Sequence, residues 1–455
     1  MKGTMQGVTL VADWDPKPGF KLGVKDIEGR QTYLGSLVWR HPRLEIREYK
    51  IPTPGPEEVL LQVKAVGICG SDVHMAQADK DGYIYYPGLT GFPSILGHEL
   101  SGVVVEAGKR SFDKRTNKPF KGGERVTSEE MLWCGSCRPC ADGYPNHCER
   151  LDEIGFNVNG ADAQYMVLPA RTLWSLEPLA NAYNDNDIFL AGSLVEPTCV
   201  AYNAVIERGG GIRPGDRVVI LGAGPVGIAA CAILKRAGAS KVIISETQPE
   251  RAALALKLGA DYHVDPSKED FADRVLEITD GMGADMFMEA TGLPEVVYPG
   301  IERVIWEGRT LNTTVVVTAR AEAKMPVQGE VLQVRRARIV GAQGHSGHGT
   351  FPRVIDCMAD GMDMTPMITK KVSLEELPEN IIKLQTDRKE CKITYVAKYT
   401  FRPWTMDHRP WSAVHDPWSF YETIHCSFYP TCPIPGGYLQ RRPGDKLIPD
   451  RRARV

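Results

Sequence analysis

From Pro214 onward short apolar runs alternate with helical patterns, and this alternation constrains the fold more than any other feature of the chain. VVILGAG reads as a strand, GIAACAILKRAGA as a helix, KVIISE as a strand and ERAALALKLGA as a helix; DMFMEATG, TLNTTVVV and ARIVGAQG read as further strands. Parallel strands need crossover segments packed on the faces of their sheet, so the pattern predicts βαβ units in an α/β, doubly wound parallel sheet. Gly222, Gly224 and Gly227 form G-x-G-x-x-G directly after the first of these strands, and Glu246 ends the next one, about 20 residues further on. The glycine pattern alone is weak. With a strand before it, a helix after it and the acidic residue behind it, it predicts a dinucleotide-binding domain over residues 206–350.

The roles expected there follow from chemistry. Gly222 allows a tight turn, Gly224 lets the backbone approach a pyrophosphate, and Gly227 permits close packing of helix on strand. Pro225 and Val226 open the helix whose free N–H groups and dipole face the phosphates. Glu246 favours NAD over NADP, because a carboxylate accepts ribose hydroxyls and repels a 2′-phosphate. Arg251 nearby weakens that preference, since it offers a partner to such a phosphate. Thr291, in the turn Glu289-Ala-Thr-Gly292 after a later strand, is expected at the nicotinamide end.

Residues 1–205 have a different texture. Between Glu45 and Leu168, β-branched runs such as VLLQVKAVGIC and LSGVVVEAG are separated by Gly/Pro turns, which reads as a β-rich domain. Four of the eleven cysteines fall between positions 134 and 148, at Cys134, Cys137, Cys140 and Cys148. Two-residue gaps let successive thiolates converge on one ion, and four soft ligands suit a closed, structural Zn²⁺ site. An iron–sulfur run would continue with a shorter final gap than this one, and a zinc ribbon would separate two pairs by roughly 15–20 residues. The first residues meet Asp13 before any apolar run develops, and the longest apolar stretch, Val218 to Leu234, is broken by Gly222, Gly224, Pro225 and Gly227. Neither a signal peptide nor a membrane span is expected, and the default location is cytoplasmic. A net charge of −3 leaves no basic footprint for a nucleic-acid partner. The charged stretch from Gly108 to Gly123 reads as a solvated loop.

Three separated segments carry further candidate ligands: Gly67-Ile-Cys69-Gly-Ser71-Asp72-Val-His74, Gly97-His98-Glu99 and Leu194-Val-Glu196-Pro197. Each is weak singly. Together they supply a thiolate, an imidazole and carboxylates, a mixed set that suits a reactive zinc with one open position. These segments, with the four-cysteine lobe and the glycine-rich turn, resemble the zinc-dependent medium-chain dehydrogenases over residues 1–393. The resemblance implies a GroES-like catalytic domain (1–205) carrying the structural zinc lobe (134–148), a Rossmann NAD-binding domain (206–350) and a return to the catalytic domain (351–393). It implies two Zn²⁺ per chain and NAD. Cys69 and His98 would bind the catalytic zinc, Glu99 would complete the shell, and Glu196 would be either a ligand or the residue holding the zinc water. Ser71 and His74 match the family's proton relay. The family also implies a homo-oligomer, a dimer or tetramer.

Mixed Cys/His/Glu ligation is similar to the polyol and threonine dehydrogenase branch. GSDVHMAQ, GYIYYPGLTGFP, EEMLWCG, GFNVNGA, SLVEPT and GHSGHGTFPRVI resemble the scyllo-inosose 3-dehydrogenase group of inositol catabolism, which implies oxidation of a secondary alcohol on a cyclic polyol or keto-polyol. Sorbitol-type and threonine dehydrogenation are the alternatives, and a non-catalytic binding protein on the same fold is the alternative of another class. Tyr83, Tyr85, Tyr86, His345, Ser346, His348 and Arg353 are candidates for reading substrate hydroxyls, with ordinary loop polarity as the competing account. From Thr394 the chain turns rich in Pro, Trp and Arg, with Pro-Trp pairs at 403–404, 410–411 and 417–418. Their seven-residue spacing suggests a coiled coil, but a proline at each repeat forbids a continuous helix. Residues 394–455 are therefore expected to be a disordered tail or the product of an altered reading frame, and Cys426 and Cys432 are not counted as ligands.

Overall fold

The computed structural model describes residues 3–320, 324–345 and 347–397, so the Pro-Trp pairs and Ser346 lie outside the described residues. The predicted parallel sheet is present with six strands, in the order Tyr262–Val264, Lys241–Ser245, Arg217–Leu221, Met286–Glu289, Thr314–Val317 and Arg338–Gly341. Every pairing is parallel. Within Arg217–Leu221, Val218 and Ile220 enter one core while Val219 and Leu221 enter another. The strand is therefore buried on both faces, which is why it reads as a continuous apolar run rather than an alternating one. The strand order reverses between Arg217–Leu221 and Met286–Glu289, the crevice where ligands sit in such sheets. The helices Pro294–Glu307 and Gly329–Arg335 complete the wrapping, though the sequence reading did not single them out.

The first domain is built on a seven-stranded mixed sheet. Its path runs Leu173–Ser175, Arg125–Ser128, Glu99–Ala107, Glu58–Gly67, Lys392–Val396 and Ile368–Val372, with Tyr165–Pro169 also pairing Glu58–Gly67. The last two strands of the path come from the far end of the chain, which returns after the parallel sheet is complete. Two boundaries differ from expectation. Thr394, Tyr395 and Val396 belong to the strand Lys392–Val396, and Thr394 and Tyr395 are buried. A tail beginning at 394 is thus corrected: the fold continues to Ala397, whose N–H donates to the Lys64 carbonyl. The limit at 205/206 falls inside a helical run, Asp187–Arg208, that joins the two domains. That run is apolar enough by composition to cross a bilayer, but 83% of its apolar window is buried inside the protein. The β-rich region also begins earlier than Glu45, with an eleven-residue strand Thr4–Trp14 paired antiparallel to Trp39–Lys50.

Candidate active site and metal centres

Strand register assembles the first cluster. Gly67, at the end of Glu58–Gly67, lies opposite Glu99 on one side and Thr394 on the other. Cys69 follows two residues later, as the N-cap of the helix Gly70–Ala76. Its backbone N–H donates to Asp72 Oδ2 at 2.9 Å, so Asp72 is held by the turn that presents the thiol. The other Asp72 oxygen lies 3.7 Å from His98 Nδ1, beyond hydrogen-bond reach, and both atoms are buried without a hydrogen-bond partner among the described residues. Ligand atoms of Cys69, His98 and Glu99 all lie within 4.8 Å of one another. A side chain on Gly67 would overlap the Glu99 carboxylate, so glycine is required by close approach there.

Lys392 was not anticipated. Its ammonium reaches Glu99 Oε1 at 2.6 Å, Oε2 at 2.5 Å and the Ile68 carbonyl at 2.9 Å, with both side chains buried. A carboxylate has about four acceptor positions, so this pairing orients Glu99 and leaves it room for a metal. Glu196 falls in a different cluster: its carboxylate, that of Glu130 and the His345 imidazole lie within 4.8 Å of one another. His345 Nε2 is 2.7 Å from Glu130 and 3.3 Å from Glu196. Burial, together with the neighbouring Glu130 and Glu99 charges, pushes Glu196 well above the carboxylate range. Glu130 is drawn to about 2, because the His345 contacts outweigh the burial that opposes ionisation. The two neighbouring carboxyls are thus shifted in opposite directions, as in a coupled pair.

Ser71 and His74, three residues apart on Gly70–Ala76, share a helix face. Ser71 Oγ is buried with no hydrogen-bond partner among the described residues. Burial, and behind it the positive charge of Arg388, lowers His74 below its ordinary value, so the imidazole is neutral at pH 7. Of the proposed hydroxyl readers, Tyr86 is buried within electrostatic reach of Cys69, and His345 is buried beside Glu130 and Glu196. Tyr86 accepts a hydrogen bond from Arg320 Nη1 at 3.0 Å, and its ring lies 5.2 Å from Phe156, which in turn lies 4.9 Å from His98. The others are placed elsewhere. Tyr83 packs under Arg40 and Lys17, Tyr85 is 49% exposed, and His348 meets the Tyr144 ring. Arg353 lies beside Tyr202.

In the four-cysteine lobe the sulfurs lie within 4.8 Å of one another, and Cys137 and Cys148 are 3.8 Å apart, too far for a disulfide. The Ser136 N–H donates to Cys134 Sγ, and the N–H groups of Cys134 and Arg150 donate to Cys148 Sγ. The Ser136 bond leads the effects that draw the Cys134 thiol down to about 5. Backbone donors aimed at sulfur suit a thiolate cage for a metal.

In the parallel domain Gly222 adopts φ +97°, a conformation natural to glycine. A Cβ on Gly227 would overlap the Gly222 carbonyl oxygen, whereas one on Gly224 would meet nothing within 4 Å. The helix Pro225–Arg236 starts there with Pro225 in its first turn, and Val226 packs against the core. Glu246 accepts from Ala223 N–H, Thr247 N–H and Gln248 N–H, each at 2.8 Å, which ties the acidic residue to the glycine-rich turn. Arg251 Nη2 donates to the Glu390 carbonyl, 2.7 Å away. Thr291 donates through N–H and Oγ to Glu289, closing the turn at the switch point.

Comparison with known proteins agrees with this architecture. Residues 55–178 match the family described as alcohol dehydrogenase GroES-like domain, and residues 225–360 match zinc-binding dehydrogenase. The chain is 63% identical over 393 residues to a Thermotoga maritima protein named scyllo-inosose 3-dehydrogenase, covering 86% of this chain and 99% of the relative. An L-threonine 3-dehydrogenase from Pyrococcus horikoshii is 31% identical over 78% of this chain and 95% of its own length. A solved structure from Thermotoga maritima, provisionally described as an alcohol dehydrogenase, superposes with a TM-score of 0.84 at 62% identity, covering 86% of this chain and all of that one. The chain therefore belongs to the zinc-dependent medium-chain alcohol dehydrogenases and is an oxidoreductase of carbon-bound hydroxyl groups.

Proposed function

We propose that this enzyme oxidises a secondary hydroxyl of a cyclic polyol, with scyllo-inosose as the best candidate and NAD as acceptor. The observation that carries the reading is the 63% identity across nearly the whole length of a relative named for that reaction. The site's chemistry supports it, because Tyr86, Glu130 and His345 put buried hydrogen-bonding groups close to the Cys69 cluster. Sites that pair substrate hydroxyls discriminate strongly in their favour.

Two zinc ions per chain are assigned, one to Cys134, Cys137, Cys140 and Cys148, the other to Cys69, His98 and Glu99. When bound, the second zinc polarises the substrate oxygen and nicotinamide accepts the hydride. Glu99 is preferred over Glu196 as third ligand because its carboxylate clusters with Cys69 and His98. Glu196, with Glu130 and His345, would hold the hydrogen-bonding partner of the reacting oxygen. Gly222, Gly224, Pro225, Val226 and Gly227 would cradle the pyrophosphate, with Thr291 toward the nicotinamide. The reduced thiols of both clusters suit a cytoplasmic location.

Ser71 and His74 would carry the proton of the alcohol outward, and a neutral His74 is ready to accept it. Since His74 is held below 6.5, alcohol oxidation should be level above pH 7 and fall on the acid side as the imidazole charges. His74→Asn should remove that acid limb and lower kcat roughly a hundredfold, the low end for positioned proton transfer. A pH–kcat profile checks both; an acid limb surviving in the variant assigns it to another group.

NAD is preferred over NADP because Glu246 is fixed beside the pyrophosphate turn while Arg251 is engaged by Glu390. Glu246→Ala should raise KM for NAD about tenfold or more, the worth of a charge-assisted hydrogen bond, and narrow the preference over NADP. Steady-state assays with both cofactors measure it. The function itself is tested by incubating zinc-loaded enzyme and NAD with scyllo-inosose, inositols, sorbitol and threonine, following the absorbance of the reduced cofactor. Highest kcat/KM on a cyclitol is expected; highest kcat/KM on threonine would move the enzyme to the branch of its Pyrococcus relative.

A further inference from the structure

Glu153 is a buried carboxyl that neither metal ligation nor cofactor binding uses. It lies on a short strand, Asp152–Glu153, paired antiparallel to Met131–Leu132 with Glu153 opposite Met131. The Ile154 N–H donates to the Glu130 carbonyl, so Glu153 stands beside the Glu130–His345–Glu196 cluster. The turn that follows leans on the catalytic segment: Gly155 packs against the backbone of Gly97, and the Phe156 ring lies between His98 and Tyr86. Asn157 accepts from the Glu153 N–H at 2.8 Å, and the Glu153 carbonyl accepts from Phe156 and Asn157, which fixes the backbone.

The Glu153 side chain is 4% exposed, yet among the described residues its Oε2 has no hydrogen-bond partner. Buried polar atoms are nearly always paired, so an unpaired one beside a reaction site marks a place for a ligand atom. The charged groups that Glu153 feels are Glu130, Arg320, His98 and Asp152. Burial first, and then the Glu130 charge, push its carboxyl up to about 8, so near neutrality it keeps a proton and can both donate and accept. That dual capacity matches a hydroxyl group. Arg320, which donates to the Tyr86 oxygen, leaves the Tyr86 O–H proton free to point at the same ligand.

We infer that Glu153, with Tyr86 beside it, binds ring hydroxyls remote from the reacting carbon and so sets the preference for a polyhydroxylated ring, an inference that rests on the cyclic-polyol reading. The test is a cycle of enzyme and substrate changes. Wild type, Glu153→Leu and Glu153→Gln are assayed for kcat/KM on scyllo-inosose and on monodeoxy analogues lacking one ring hydroxyl each, with bound zinc measured to verify folding. Wild type should lose roughly 10- to 100-fold on one particular analogue. Glu153→Leu should lose a similar factor on the parent and nothing further on that analogue, and Glu153→Gln should recover part of the loss. Losses that multiply for every analogue, or a parent kcat/KM within twofold of wild type, overturn the assignment. Should Glu153→Leu fail to fold, the same cycle is read with Glu153→Gln. A wild-type enzyme inactive on scyllo-inosose overturns the polyol reading and the assignment with it. An active wild type with multiplying losses overturns the assignment alone.

Discussion

Replacing Cys69 with serine is expected to take zinc from two ions per chain to one and to lower kcat/KM by at least about a thousandfold. Lewis-acid catalysis is worth several kcal/mol, and each 1.36 kcal/mol is tenfold in rate, so about 4 kcal/mol gives that factor. The loss should be selective. Cys69 caps a short helix in the first domain, whereas the glycine-rich turn and Glu246 belong to the parallel sheet, so binding of the reduced cofactor, followed by fluorescence, should persist. The four-cysteine lobe has its own backbone donors and should keep its metal. The same zinc assay separates the two glutamates. Glu99→Gln should release the second ion, while Glu196→Gln should retain it and lose turnover. A Cys69→Ser enzyme that still turns over, or a Glu196→Gln enzyme that loses zinc, contradicts the ligand set.

The second large effect is expected at Lys392. Its ammonium is the direct partner of Glu99, and both side chains are about 1% exposed. In the zinc-free protein, Lys392→Met leaves the Glu99 carboxylate buried without its counter-charge, which costs about 3–5 kcal/mol. Denaturant unfolding should register that loss. It should also be partly reversed in Lys392→Met/Glu99→Gln, where no unpaired charge remains, although the double variant should lack the catalytic metal. Metal content and stability would then move in opposite directions between the single and double variants. A zinc-free Lys392→Met protein as stable as the zinc-free wild type would mean that water already satisfies Glu99.

Much of this molecule was legible without coordinates. The cysteine spacing from 134 to 148, the G-x-G-x-x-G turn and the strand–helix alternation are encoded locally. A two-residue gap brings neighbouring thiolates together, a missing Cβ at Gly227 permits one close approach, and apolar periodicity declares which face is buried. Such signals survive because their physical causes lie within a few residues of one another. The choice between Glu99 and Glu196, the Lys392 pairing and the Glu130–His345 contact were not legible, since their partners stand far apart in the chain. Lys392 and Glu99 are 293 residues apart, and Glu130 and His345 are 215. A single lysine or glutamate is normally exposed, so nothing in LDEIGF or CKITYV marks a buried charge. The tyrosines of GYIYYPG make the same point: all three are equally plausible in sequence, and the fold buries Tyr86 near His98 while leaving Tyr85 in solvent. By itself, then, the sequence determined the fold class, the segments that carry the candidate metal ligands and the dinucleotide turn. The tertiary structure alone decided which charges are buried together, because strand register, and not proximity along the chain, places Gly67, Glu99 and Thr394 side by side.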